Sequence, residues 1–515
     1  MKILIIIVLA FISCQVPAQQ KDQKPVSRKK ADAYFFHELY SAALPGYLYE
    51  LRKDPENGEL NLKAGVCLLY SGHKSESIPY LEKAIQKGVS DAYLWLGQAY
   101  HAQNQIDLAL SNYLLYKKNA PVNSILYAEA ERHIDISLRA REMQKKPVRV
   151  DIENLGPGIN SSSADYVPLV SADESLLIFT SRREGSTGGY KDHNGHYFED
   201  LYFSTRENNI WTPAANMGGT VNTSSHDASV GLSADGQKLI IYKMSEGSYG
   251  GDLYLSALSG QNWEAPRPID GEINSPYWEP SACFSADNNF LFFSSDRPGG
   301  YGGRDIWLSK KLPDGTWGKP VNLGGIINTP FDDDAPFFHP DGKTLYFSSK
   351  GHSTMGGFDI FHSVMQPDNG WSIPENVGYP INTVDDDIYF VLSADGKHAY
   401  YSSDREGGLG DKDIYMIEMP DEAVPVIVIK GIISDEKSAK PVNARIIVTD
   451  EATKEVQGIY NSNDATGKFL IILPPLHTYN VRIEADNYKV RTEQLNFSEG
   501  EEFREISKDF SLKSN

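Results

Sequence analysis

The chain is poor in cysteine, in basic residues and in long apolar runs, and each scarcity excludes something. Three cysteines occur in 515 residues. Cys14 lies in the first apolar segment, while Cys67 and Cys283 fall in regions of different pattern, so a disulfide framework is excluded. Lys and Arg number 49 against 69 Asp and Glu, a formal net charge of −20, which disfavours a nucleic-acid backbone as partner. Beyond the N-terminus no apolar stretch approaches the ~18 residues of a membrane-spanning helix. There is no Gly-x-Ser-x-Gly and no loop of EF-hand spacing, which removes the α/β-hydrolase nucleophile and a ready-made Ca²⁺ loop.

The one apolar run, Ile3 to Ile12, stands behind Met1-Lys2 and ahead of Val16-Pro17-Ala18. It reads as a secretory signal of residues 1–18 cleaved after Ala18. A lipid anchor at Cys14 is the rival, but Phe11-Ile12-Ser13-Cys14 has Phe where the lipoprotein box wants Leu.

Repetition is what the chain has in plenty. Five times between Ser161 and Tyr415 a unit of about 54 residues recurs. Its turn marks are Ser171-Ala-Asp-Glu, Ser233-Ala-Asp-Gly, Ser285-Ala-Asp-Asn, His339-Pro-Asp-Gly and Ser393-Ala-Asp-Gly. Each is followed by a half-buried strand and then by a third strand headed by Asp200, Asp252, Asp305, Asp359 or Asp413. Fourth strands are expected at Trp211, Trp263, Trp317 and Trp371. Because no single unit can bury both its faces, the units must stack around an axis, which predicts a five-bladed β-propeller over 147–420 with six blades as the alternative. The last unit lacks its Trp strand, whereas an extra link, Asn154-Leu-Gly-Pro-Gly-Ile-Asn-Ser161, precedes the first. Val148 to Glu153 is therefore expected to close the ring as the outer strand of the last blade.

Six residues before each turn mark stands an acid: Asp165, Asp227, Glu279, Asp333 and Asp387. Two readings fit. The acids accept backbone N–H bonds from the adjacent link, as repeated fasteners do, or they rim the mouth of the central channel and bind a cation or basic partner. Asp305 and its four equivalents are expected to be structural, capping the Gly-rich loops before them. Asp332-Asp333-Asp334 and Asp385-Asp386-Asp387 would suit Ca²⁺, which takes carboxylate oxygens, but solvated loops account for them without a metal, so no cofactor is expected. The first unit carries a longer loop with Lys191-Asp-His-Asn-Gly-His196, best read as a surface hairpin.

Residues 31–146 change to helical periodicity. Tyr93, Leu96, Gly97 and Tyr100, then Ile106, Ala109, Leu110 and Tyr113, form the stripes of two packed helices, with a weaker copy 32 residues earlier at Gly65. Residues 425–515 alternate apolar and polar positions over short strands, Val428 to Ile432, Ala444 to Val448, Phe469 to Leu473 and Tyr479 to Ile483, predicting an antiparallel sandwich.

The helical pairs resemble tetratricopeptide repeats, and the repeated units a TolB-type WD-repeat-like propeller. Asn463-Asp-Ala-Thr-Gly-Lys-Phe469 with Leu473-Pro474, Tyr479 and Tyr488 resembles the carboxypeptidase-regulatory-like, transthyretin-like domain. In that order the three are similar to multidomain envelope proteins of the OmpA family, including those associated with type IX secretion and gliding. The chain departs from them after Lys508 to Asn515, where an OmpA-like domain would follow, so cell-wall anchoring is not carried over. The resemblance implies a scaffold in the periplasm or on the periplasmic face of the outer membrane, binding other envelope proteins through the helical groove and the propeller face. The chain is on this reading not an enzyme and has no catalytic residue: a propeller glycosidase needs unlike carboxylates from unlike blades, and the five acids are one repeated position. Binding of a glycan or peptidoglycan fragment, and a five-bladed glycosidase, are the alternatives.

Overall fold

The computed structural model describes residues 26–192, 195–244, 251–368, 370–405, 407–420, 424–497 and 503–515. Residues 1–25 with Cys14, His193 and Asn194 of the long loop, and the turn residues Asn369 and Glu406 lie outside the described residues. The fold is mainly β, with helices first, and divides into two compact units, Met1–Leu96 and Gly97–Asn515.

The first unit holds α1 (Arg28–Phe36), α2 (Tyr40–Leu51), α3 (Gly58–Tyr70), α4 (Lys74–Gln86) and the start of α5 (Ala92–Ala102). Asn57 begins α3 by accepting the Leu60 N–H at 3.1 Å, and the helically spaced Leu60, Ala64 and Cys67 bury against Ala43, Tyr47 and Leu51 of α2. Gly65 sits so near α4 that a Cβ there would come within 2.7 Å of the Leu81 side chain.

In the second unit, α6 (Ile106–Asn119) and α7 (Ile125–Gln144) follow the end of α5. The division falls inside α5 because these last helices pack on the β ring. Ile106, Leu110 and Ala140 gather around Met355, and Arg139 Nε donates to the Thr354 carbonyl at 2.8 Å. His101 joins Ser137 Oγ (2.9 Å) to the Met355 carbonyl (3.0 Å), and burial holds its imidazole pKa down to about 4.

Five curled sheets make the ring. Their innermost strands are Asp165–Val170, Asp227–Leu232, Ala282–Phe284, Asp333–Phe338 and Asp387–Leu392. Each lies against the next, and the fifth lies against the first. Second and third strands pair antiparallel in every blade, for example Leu176–Ser181 with Asp200–Glu207 and His398–Ser403 with Asp413–Glu418. Outer strands are short. Trp211 and Trp263 end tight hairpins, while Trp317 and Trp371 pair through single bridges. In the fifth blade the outer strand comes from the front of the ring: Asp151–Asn154 pairs antiparallel with the third strand, Asp151 opposite Glu418 and Asn154 opposite Tyr415. It covers the edge of Asp413–Glu418.

The C-terminal strands form two facing sheets. One has Arg445–Asp450 between Val456–Asn461 and Thr478–Glu484, with Arg491–Asn496 at its edge. In the other, Ile427–Asp435 pairs antiparallel with Lys468–Leu473 but parallel with Arg504–Ser507 and Phe510–Leu512. The expectation of a purely antiparallel sandwich is corrected: the chain's last strands return along the first one because Phe510 and Leu512 must reach the core shared by Ile446, Val481 and Ile471. The outward side of this sheet covers one face of the ring. In the turn marks the Ser hydroxyl donates to the Asp two residues on (2.8 Å from Ser171, 2.7 Å from Ser393), and Ala172, Ala234, Ala286 and Ala394 pack against Val426, Val428, Leu470 and Ile472.

Candidate ligand site at the open face of the ring

With the turn face covered, the other face is formed by the links and by the loops between second and third strands; α6 and α7 dock on it at Thr354 and Met355 of blade 4, and the candidate site lies on the part beside them. Its framework is repeated. A Ser or Thr four residues before each acid turns back to it: the Ser161 N–H and hydroxyl donate to Asp165 (2.6 and 2.7 Å), those of Thr223 to Asp227 (2.5 and 2.7 Å), of Ser275 to Glu279 (3.2 and 2.6 Å), of Thr329 to Asp333 (2.5 and 2.9 Å), and of Thr383 to Asp387 (2.6 and 2.8 Å). All five acids are 0% exposed. The reading of Asp165, Asp227, Glu279, Asp333 and Asp387 as a solvent-facing rim is therefore corrected: the link folds over each carboxylate and takes both its oxygens out of reach of a ligand.

The aspartates heading the third strands are also enclosed. Asp305 accepts from Tyr301 N (2.6 Å), Gly302 N (3.2 Å) and Asn322 Nδ2 (2.8 Å). Asp200, Asp359 and Asp413 accept likewise from Thr187, Met355 and Leu409 N–H groups at 2.5–2.8 Å. The loop before Asp252 lies outside the described residues.

Blades 1 to 3 place a cation on the buried acid: Arg183 on Asp165 (2.6 Å), Lys243 on Asp227 (2.5 Å) and Arg297 on Glu279 (2.9 Å). Blade 4 has Gly351 where blades 1, 3 and 5 have arginine, and burial pushes the Asp333 carboxyl up to about 7. The sign follows. Below an unfolded value of ~4 both states hold the proton, and as pH rises from there towards 7 only the unfolded state releases it, so stability falls across that window. Asp333→Asn should flatten this fall, by on the order of 2–4 kcal/mol between pH ~4 and ~7, measured as urea midpoints across the range. An unchanged pH profile would show that Asp333 is ionised in the fold.

The residues beside the fasteners differ from blade to blade. Just before the acids stand Ala164, His226, Trp278, Asp332 and Asp386, and just before the third-strand aspartates Glu199, Gly251, Arg304, Phe358 and Lys412. Backbone bonds bring these sets together: Asp227 N–H reaches Glu199 O (3.0 Å), Asp333 N–H Arg304 O (2.8 Å) and Asp387 N–H Phe358 O (2.8 Å). Glu199 thereby meets the His226 ring. It also accepts the Tyr166 hydroxyl at 2.9 Å and faces Arg182 Nε at 3.4 Å, and Arg182 binds Asp192 at 3.0 Å. Burial, seconded by Arg182, lowers the His226 pKa. Across the mouth Arg304 pairs with Asp332 (3.2 Å) and Asp334 (3.3 Å), Lys350 joins Asp332 at 3.1 Å, and the Arg304 guanidinium stands 4.7 Å from the Trp278 ring. Asp334 also accepts from Ser281 and Ser294.

Beneath the mouth the channel is narrow. Its cavity of about 40 Å³ is lined by apolar residues such as Val167, Val230, Phe337 and Phe390, room for water but not for a larger ligand. Val167, Ala335 and Tyr389 have φ of 52°, 49° and 63° at bulges of their innermost strands, a conformation costly for a β-branched or bulky residue and held by the neighbouring blades. Among the described residues no three His, Cys, Asp or Glu side chains are grouped to hold a metal ion, and no helix is long and apolar enough to cross a membrane. In the long first-blade loop Lys191 and Tyr197 pair through an antiparallel bridge.

Neither a protein-family profile nor a curated protein matches the chain. Solved structures do. An α-L-arabinofuranosidase from Lactobacillus brevis shares 14% identity over 51% of this chain and 91% of its own, with a TM-score of 0.34. An endo-arabinase from Bacteroides thetaiotaomicron VPI-5482 shares 14% over 51% and 99%, TM-score 0.33. A 3-chlorocatechol 1,2-dioxygenase from Rhodococcus opacus 1CP shares 14% over 19% of this chain, which spans 63% of that protein's length, TM-score 0.15. These likenesses carry no substrate and no residue role over to this chain. The expectation that it is not an enzyme is corrected on the chain's own geometry. It rested on five acids at one repeated position, whereas the mouth presents Glu199, His226, Arg304 and Asp332 from unlike positions of different blades.

Proposed function

We propose that this protein binds an uncharged carbohydrate at the open mouth of its propeller, in the cell envelope to which its signal segment would send it. The observation that carries the reading is the mixed cluster at the mouth. A sugar offers hydroxyls that both donate and accept, and an apolar face of C–H groups. Carboxylates of Glu199 and Asp332 accept from hydroxyls, the guanidinium groups of Arg182 and Arg304 donate to them, and the ring of Trp278, 38% exposed, suits the C–H face. Arg182, Arg304 and Lys350 each already have a carboxylate partner, so none of the three is left over to attract an anionic ligand.

Titration calorimetry of the full chain against neutral oligosaccharides of hexose, pentose and N-acetylhexosamine type tests this, the last class separating cell-wall fragments from other sources. Saturable binding to one class is expected, insensitive to salt because the ligand is uncharged, and lost in Glu199→Gln and Arg304→Gln proteins that keep the native circular dichroism. Failure of every class, or binding abolished by salt, would refute the reading. Release of new reducing ends during the titration would add catalysis at the same mouth.

A second reading, docking of an envelope protein on the helices, is favoured by Leu114, Leu115, Val122 and Ile125, which α6 and the start of α7 leave exposed. The tetratricopeptide likeness supports it. Gly65 and Gly97 each face a residue sixteen positions on, Leu81 and Tyr113, across a helix pair too close for a Cβ. The regulatory-like sandwich and the OmpA-type envelope context belong to the same proposal. Co-purification of an envelope protein that is lost in a Leu114→Asp, Ile125→Asp protein would support it, and co-purification unaffected by that change would not.

A further inference from the structure

Two exposed aromatic rings on the open face are each backed by an anchored guanidinium. Arg304 covers one side of Trp278 at 4.7 Å and is itself held by Asp332 and Asp334. Arg132 of α7 covers one side of Phe331 at 4.2 Å and is held by donating to the Lys350 carbonyl at 2.7 Å. Trp278 and Phe331 nonetheless remain 38% and 40% exposed. A ring fixed from behind by a cation cannot turn away, so its free side is a preformed stacking platform that loses little entropy on binding. The platforms are contiguous: Asp332 follows Phe331 in the chain and pairs with the guanidinium behind Trp278, while Lys350 joins Asp332 by its side chain and Arg132 by its carbonyl. We infer that the site is an extended one and takes a linear neutral oligosaccharide, running from the mouth over Trp278 to Phe331 beside α7.

This rests on the carbohydrate reading above and adds the ligand's length and direction. A proline-rich peptide is the other ligand that stacks on such rings. It brings carbonyl acceptors but few donors, whereas the Asp332 carboxylate between the platforms, which already takes Arg304 and Lys350, can accept from a ligand but cannot donate to one. Sugar hydroxyls offer such donors.

Affinity as a function of chain length decides the matter, using one homologous neutral series from monosaccharide to hexasaccharide on the full-length protein. Kd should fall with length and then level off. Phe331→Ala should weaken the long members about tenfold, the worth of one stacking platform, and leave the shortest binding member unchanged. Glu199→Gln should weaken all lengths alike. Sugar binding with no dependence on length, or an equal effect of Phe331→Ala on every member, would overturn this inference and leave the carbohydrate reading standing. Absence of any sugar binding would remove both. Binding of a proline-rich peptide, with no sugar bound, through the same two rings would assign the platforms to a protein partner instead.

Discussion

Arg183→Ala should destabilise the folded chain by about 3–5 kcal/mol, the cost of stripping one partner from a buried ion pair. The Asp165 side chain is 0% exposed and receives Arg183 Nη2 at 2.6 Å. The same arginine reaches the Ile159 carbonyl and the Ser181 hydroxyl, so its loss leaves a carboxylate and two acceptors short of donors inside the first blade. A double-mutant cycle separates the pair from the packing: Asp165→Asn beside Arg183→Ala should recover part of the loss, because the orphaned charge is gone. An unchanged urea midpoint for Arg183→Ala would mean that water already reaches Asp165.

Asn160→Ala should cost about 2–4 kcal/mol, since two buried backbone groups lose their partner at once. The Asn160 side chain accepts from Ile414 N at 2.8 Å and donates to Ile414 O at 2.9 Å. The same device recurs between Asn222 and Leu201 and between Asn382 and Ile360, but those pairs join blades that the chain already connects. Asn160 ties the first link to the last blade across 254 positions. Its removal should let Asp151–Asn154 peel from the fifth sheet, so that backbone amides of Asp413–Glu418 exchange faster than in the equally deprived Asn382→Ala protein. Equal exchange in the two would show that ring closure does not depend on this bond.

Much of this architecture is written locally. Four of the five turn marks repeat Ser-x-Asp because their inner hairpins use a Ser-to-Asp bond, and the spare link at Asn154 announces a strand donated from the front. The acids' burial was also legible in principle, since Ser161, Thr223, Ser275, Thr329 and Thr383 stand four residues before them in position to fold back. Gly351 in place of an arginine leaves Asp333 without the guanidinium that Asp165 and Glu279 have. Other features depend on contacts between distant segments. The small second residue of four turn marks looked like ordinary turn chemistry, and only packing against Val426 and Leu470 gives those alanines a role. Left-handed backbone at Val167 and Tyr389 runs against local preference and is imposed by neighbouring blades. Trp278 stands outside the repeated tryptophan position, so periodicity hides it, and the parallel pairing of Arg504–Ser507 follows from where the chain's end finds apolar cover.

Hydrogen exchange with and without the best-binding oligosaccharide tests the central claim most directly. Ligand should protect the links and loops that build the open mouth, residues 182–192, 195–200, 272–282, 296–306 and 326–335, and leave the sandwich strands within 425–497 unchanged. Protection confined to the sandwich, or none on those links while the sugar is bound, would contradict it.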